Sequence, residues 1–334
     1  MTRHRRLLAV LGALAVASLF SLVNFAQAQP TADQILTDAG LSADDKQSVL
    51  SGQFVNVSVG GVSDRDLAFA IAFMVKASPE ALSKQIVGGQ LVTADAQVKA
   101  YGPLSGAGSL TDFAKLSITG DEAKALTGAQ AGEALNLSTA EIAAFKALAG
   151  GTTQAVQEQL RRMLLARYQA YRASGLSGIA AYDRGNGRAS DTASDLRKAA
   201  EATKGLQKYL PAFQKVLLNY PQATLPGMQE SFFWLKSLIE GKTTYVLTHV
   251  LVASDGTARA VVRREYYAST GYNAEQSVAG FLPVKGGSVV ISTSHAFTDQ
   301  VTGFGGSMKR SIGSKIMASK MKEIYEAGRE KAQK

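Results

Sequence analysis

Cysteine is absent from the 334 residues, and that single absence removes several chemistries at once. Disulfide staples, thiolate metal sites, a thiol nucleophile and lipid attachment through a cysteine are all excluded. Histidine is nearly absent as well: only His4, His249 and His295 occur. Three histidines in neither an HxxH nor an HExxH frame argue against zinc. No GxSxG elbow is present, so nucleophilic serine chemistry has no motif behind it. The segment GFGGSMKRSIGSK fails as a nucleotide loop, because Ser307 and Met308 separate Gly306 from Lys309, where a Walker loop needs glycine directly before lysine. No cofactor is implied. Without staples or a metal the chain must hold itself together by core burial, which its length permits as one large domain or two smaller ones.

The first segment with a clear meaning is the N-terminus. Arg3, Arg5 and Arg6 precede an apolar run from Leu7 to Ala26, followed by Ala26-Gln27-Ala28. A positive start, an apolar stretch and an A-x-A site read as an export signal over residues 1–28, cleaved after Ala28. The implied location is periplasmic or secreted, with an uncleaved membrane anchor as the alternative. Charge is uneven along the rest. Residues 29–150 hold 13 acids and 8 bases, residues 151–304 hold 11 and 17, and residues 305–334 hold 3 and 8. A basic surface on an exported chain has no nucleic acid as routine partner; an anionic membrane surface or an acidic partner protein fits better.

Patterning divides the chain into an N-terminal α+β region at 29–150, a helical region at 151–241, and an antiparallel sheet with a C-terminal helix at 242–334. Whether 242–334 shares one fold with 29–150 stays open. Leu67 to Val75 is apolar enough for a buried strand, and Ser78-Pro79-Glu80 starts a helix. Asn136 to Glu141 caps another. From Thr152 the apolar positions Val156, Leu160, Met163, Leu164, Tyr168 and Tyr171 recur at spacings of three and four, and Gly175 closes that helix. AYDRGNGRASDTASD reads as a glycine-broken loop, with Asp191 or Ser194 capping a helix to about Leu210. Two hairpins follow, turning at Asp255-Gly256 and at Lys285-Gly286-Gly287. On the strand at 258–268, alternation puts Arg259, Val261, Arg263, Glu265 and Tyr267 on one face, and Arg264 and Tyr266 on the other. In the last helix Gly305 and Gly306 make the entry and Ser307 the cap. Met308, Ile312 and Ile316 form one apolar line there, and Met317, Met321 and Ile324 a second. The fold class that results is α+β: an antiparallel sheet packed by a long C-terminal helix, with a central helical segment.

Two resemblances add to this reading. The block REYYASTGYNAEQSVAGFLPVKGGSVVISTSHAFTDQVTGFGGSMKRSIG resembles exported bacterial proteins without assigned function over roughly the last hundred residues. Its shared elements are Arg264–Tyr267, Asp299 before the glycine run, and Lys309-Arg310. More weakly, sheet–turn–sheet running into a long helix, with AFMVKASPEAL near the N-terminus, is similar to START-type helix-grip lipid carriers. That resemblance implies a cavity closed by the terminal helix. The helical residues 152–241 between the two parts depart from the pattern.

The expectation is therefore a non-enzymatic binding protein for a hydrophobic or lipid-like ligand. The candidate ligand residues are Arg264, Tyr266, Tyr267, His295, Asp299, Gly305, Gly306, Ser307, Lys309 and Arg310. Lys315, Lys322 and Arg329, seven apart, form a candidate membrane-contact line. The alternative is an envelope assembly protein docking through the basic helix; a hydrolase with an unrecognised site ranks third.

Overall fold

The computed structural model describes residues 30–132, 134–303 and 305–333; the candidate export signal lies outside them. Ten strands are found there: β1 Val55–Val57, β2 Asp66–Val75, β3 Val98–Leu104, β4 Tyr182–Gly185, β5 Arg188–Ser190, β6 Gln229–Ile239, β7 Lys242–Asp255, β8 Ala258–Ala268, β9 Ala274–Val284 and β10 Gly287–Phe297. The helices are α1 Ala32–Asp38, α2 Ala43–Leu50, α3 Pro79–Val87, α4 Gly120–Thr127, α5 Thr139–Lys146, α6 Thr153–Ser174, α7 Thr192–Ala202, α8 Lys204–Tyr209, α9 Pro211–Asn219 and α10 Gly306–Ala332.

Eight strands form one antiparallel sheet in the order β1-β2-β10-β9-β8-β7-β6-β3, so strands from both ends of the chain share it. The architecture is α+β, with α10 packed on the sheet. Because strand side chains alternate between faces, each strand feeds two layers. On β6, Phe232 and Trp234 join Tyr168, Tyr171 and Leu164 of α6, whereas Phe233 and Leu235 join Phe73, Val246 and Val250 on the opposite face. We call the first face outer and the second inner. Helices α4–α7 and α9 cover the outer face, with α1 and α2 beside them against Ala72, Leu282 and Val289.

Local signals explain most helix ends. Ser78 accepts from the Ala81 N–H with Pro79 in the first turn, and Ser138 and Glu141 close a reciprocal capping box. Asp191 caps α7, and Gly175 ends α6 with a φ of 60°.

Four local expectations are overturned. The apolar run SFFWLKSLIEG belongs to strand β6 rather than to the helical region. A strand buried on both faces reads as a continuous apolar run, without alternation. AYDRGNGRASD is not all loop, because β4 and β5 pair as a small hairpin. The helix expected to reach Leu210 breaks at Thr203 into α7 and α8. Ser307 does not cap α10: the cap position is Gly305, in the left-handed region at φ 72° where glycine is favoured, and no side chain caps the end.

Candidate functional site

Between the inner face, α3 and α10 lies a cavity of about 810 Å³. Its wall comes from Phe73 and Val75 of β2, Leu82 and Ile86 of α3, Phe233 and Leu235 of β6, and Val246 and Val250 of β7. From α10 come Met317, Met321 and Ile324, the second of the two apolar lines in the sequence. Gly313 sets how closely this helix approaches: a Cβ there would meet Leu67 Cδ2 at 2.9 Å. Toward the C-terminal end, Tyr325 fastens α10, its hydroxyl 2.8 Å from Ser292 Oγ and its ring 5.2 Å from that of Phe73.

The size of the space decides how it should be read. Unfilled apolar cavities cost about 24 cal/mol per Å³, so an empty dry void of 810 Å³ would cost about 20 kcal/mol. That exceeds the ~5–15 kcal/mol net stability of a typical domain. The space is thus a compartment for solvent or ligand rather than a packing flaw, and its volume lies in the range of small-molecule sites.

The wall is not uniformly apolar, and the register shows where it changes. Thr248, Glu265, Glu275 and Ala296 lie side by side across β7, β8, β9 and β10. The next inner-face row is Val250, Arg263, Ser277 and Ser294. Beyond it come Val252, Val261, Ala279 and Ser292, and then Phe281 and Val290. Polar groups therefore collect in two adjacent rows and apolar ones beyond. Glu265 takes an ion pair from Arg263 and a hydrogen bond from the Tyr272 hydroxyl. Ser294 Oγ donates to Glu275 Oε1 at 2.7 Å. Burial first, and the charge of Glu265 second, push the Glu275 carboxyl up to about 7, against the opposing pull of Arg263 and Ser294. Thr248 Oγ1 is buried without a hydrogen-bond partner.

A pH dependence follows from Glu275. Its folded form keeps a proton to higher pH than the unfolded chain does, so its contribution is complete below about 4.5 and is lost as pH rises through about 7. That gap corresponds to about 3 kcal/mol. Glu275→Gln removes the loss. The variant should match the parent near pH 4.5 and exceed its unfolding free energy by about 3 kcal/mol near pH 8, in urea titrations at both values.

The candidate ligand residues singled out in the sequence fall in other places. Arg264 is fully buried on the outer face. It donates through Nε and Nη2 to Gln276 Oε1 at 2.9 and 2.7 Å, through Nη2 to the Leu217 carbonyl at 3.0 Å, and through Nη1 to the Tyr171 hydroxyl at 3.2 Å. Tyr171 lies 3.1 Å from His249 Nδ1, and His249 Nε2 lies 3.2 Å from Glu230. Burial pushes His249 down to about 4 against the pull of Glu230, so it is a neutral core histidine near pH 7.

Tyr266 stacks on Tyr171 with ring centroids 4.0 Å apart. Alternation placed Tyr267 on the face of Arg263 and Glu265, but it too packs in the outer core. The cause is a β-bulge: Leu247 pairs with Tyr267 while Thr248 pairs with Glu265. Tyr266 is thus the extra residue, and both tyrosines turn to one side.

His295 Nδ1 sits 2.7 Å from Asp66, and Asp299 accepts from Arg65, Arg184, Ser190 and Asn273. Burial opposes the charge on Asp299, yet the hydrogen bonds of Ser190 and Asn273 and the two guanidinium groups hold its carboxyl below the usual range. Gly305, Gly306, Ser307, Lys309 and Arg310 form the start of α10, where Arg310 donates to the Asp64 carbonyl at 2.9 Å. Of the seven-spaced cations, Arg329 donates to the Gly52 carbonyl and lies over the Phe54 ring, and Lys322 lies 5.7 Å from the same ring. Lys315 is exposed.

Sequence reasoning placed Arg263 and Glu265 on one face of the strand at 258–268 without making them candidate ligand residues, and missed Glu275, Tyr272 and Thr248. Period-two alternation on β8 already separates Arg263 and Glu265 from Arg264. Nothing local marks Glu275, whose burial depends on β8 and β10 on either side. Among the described residues, no cluster of three or more His, Asp or Glu is arranged to hold a metal, and no helix is long and apolar enough to cross a membrane. No protein-family model, curated protein or solved structure matches this chain.

Proposed function

We propose that this chain is a non-enzymatic binding protein that encloses a hydrophobic, lipid-like molecule between the inner face of its sheet and α10. The supporting observation is the cavity of about 810 Å³, apolar over most of its wall, which the core leaves unfilled. The helix-grip resemblance has the same sense, with α10 as the gripping element. Export through the segment at residues 1–28 would put the protein in the periplasm or outside the cell. The test is native mass spectrometry and organic extraction of protein purified from its own host. A copurifying amphiphile that is lost on delipidation, and restored by adding it back, is the expected result. Protein that carries nothing, and fails to bind alkyl-chain probes, would overturn the reading.

A second reading concerns the far side of the same helix. Met308, Ile312 and Ile316 are 69%, 53% and 52% exposed. At about 100° per residue, Met308 and Ile312 face away from Met317 and Met321, Ile316 sits at the edge of the cavity wall, and the exposed Lys309 and Lys315 flank the line. Apolar residues between lysines suit an anionic lipid surface, to which each lysine adds about 1 kcal/mol. Reversing Lys309 and Lys315 to glutamate should weaken binding to vesicles containing anionic lipid by more than about 100-fold. Vesicle binding left intact by the double reversal would sink the surface reading, and neither lysine lines the cavity.

A further inference from the structure

We propose that the cavity selects amphiphiles whose polar end is a protonated amine, seated against Glu275, over carboxylates of the same chain length. This rests on the cavity being a ligand site, and it goes further by assigning the head group.

The argument begins with the charges facing the space. Asp95, Glu240, Glu265, Glu275 and Glu323 line it, against Arg263, Lys320 and Arg329. Most of these lie at the rim: Glu240, Lys320 and Glu323 are exposed, and Arg329 is engaged by the Gly52 carbonyl and the Phe54 ring. Within the sheet only Arg263, Glu265 and Glu275 remain. Arg263 is taken by Glu265, which also holds the Tyr272 hydroxyl. Glu275 is left without a cation of its own, with Ser294 as its hydrogen-bond donor.

An ionised carboxylate buried with no counter-ion is unfavourable, and it becomes favourable once a cation arrives with its own hydrogen-bond donors. An ammonium group supplies both. A ligand carboxylate would instead bring a further negative charge against Glu265 and Glu275, with the one internal guanidinium already paired.

A second observation points the same way. Thr248 Oγ1, on a side chain 2% exposed, has no hydrogen-bond partner and belongs to the cavity wall. It lies in the same cross-strand row as Glu275, two strands away, which is about 10 Å at the usual strand spacing. A polar group on the ligand, or a water held beside it, would satisfy this oxygen. The register then orients the guest. Its head lies on the row of Thr248, Glu265 and Glu275, and its chain passes Ala279 toward Phe281, Val290, Phe73 and Val75.

The test uses the full chain, delipidated, with decylamine, 1-decanol and decanoate competing against an environment-sensitive alkyl fluorophore. Near pH 8, where a carboxyl of this kind is ionised and an alkylamine protonated, the amine should bind at least about tenfold more tightly than the carboxylate, with the alcohol between. Glu275→Gln should cut amine affinity about tenfold or more and leave the alcohol within about threefold. In the parent protein the amine-to-alcohol ratio should rise between about pH 5.5 and pH 8, because a protonated Glu275 must lose its proton to hold the ammonium. This readout needs no variant. Binding in which decanoate equals or exceeds the amine, or a ratio that is flat with pH, overturns the head-group assignment and leaves the carrier reading standing. Failure of all three probes to bind saturably overturns the carrier reading, and the assignment with it.

Discussion

Ala279→Trp is expected to abolish saturable binding of a decyl-chain probe while the protein stays folded. Ala279 sits on β9, facing the cavity between Val261 of β8 and Ser292 of β10. A bulky side chain introduced into a filled core forces its neighbours aside and costs about 1–3 kcal/mol. Here the indole enters space that no atom of the chain occupies, so the steric penalty is small and apolar area becomes buried. Unfolding free energy should stay level or rise by about 1–2 kcal/mol, as for other cavity-filling changes. The indole blocks the path a chain would take from the polar rows to Phe281 and Val290, so affinity should fall by about 100-fold or more, or about 2.7 kcal/mol. Met308→Trp, on the solvent side of α10, serves as the control and should leave probe binding unchanged. Undiminished binding by Ala279→Trp would show that the probe sits elsewhere.

Arg184→Ala should be among the most destabilising single changes in the chain, with a loss of about 3–5 kcal/mol. Arg184 is 8% exposed. Its Nε donates to Ser190 Oγ at 2.8 Å and to Asp299 at 2.9 Å. Its Nη1 reaches the Gly132 carbonyl at 2.7 Å, and its Nη2 reaches Asn136 Oδ1 at 2.7 Å and Asn273 Oδ1 at 3.0 Å. Removing it strands three neutral acceptors and leaves Asp299 with Arg65 as its remaining cation. Each buried acceptor left unpaired costs about 1–3 kcal/mol. These groups tie the β4–β5 hairpin to the segment before β9 and to the end of β10, whose neighbours Tyr272 and Thr298 line the cavity. Chemical denaturation should show the loss. A loss below about 1 kcal/mol would mean that water replaces the guanidinium.

How far these features can be read from the chain depends on the range over which each is set. Helix ends at Ser78, Ser138 and Gly175 were legible because a cap is a matter of three or four consecutive residues. The two large hairpins were legible because alternation and glycine turns are local too. Strand β6 was not, since both of its faces are buried and a strand of that kind carries no period to detect. The tyrosine pair illustrates the same limit at one residue. Alternation sends Tyr266 and Tyr267 to opposite faces; a bulge opposite Leu247 and Thr248 sends both outward. Ser307 was a sound cap by type, yet the chain enters α10 through Gly305, which reaches a left-handed φ at no steric cost.

The candidate site shows the division most sharply. By itself the sequence determined that there are no cysteine staples, no thiolate or zinc frame and no nucleotide loop, and that a basic, methionine-bearing helix ends the chain after an antiparallel sheet. Those conclusions follow from composition and from patterns a few residues long. Only the tertiary structure decided that Arg264, Tyr266 and Tyr267 brace an outer core, that Asp299 gathers Arg65 and Arg184, and that Met317 and Met321 face a space while Met308 faces solvent. Only it joined Thr248, Glu265 and Glu275 into one row. The physical reason is that a cavity is made of what the core does not fill. Its volume and charge depend on strand order, register and the height at which Gly313 lets α10 sit, and each is a relation between residues far apart in the chain.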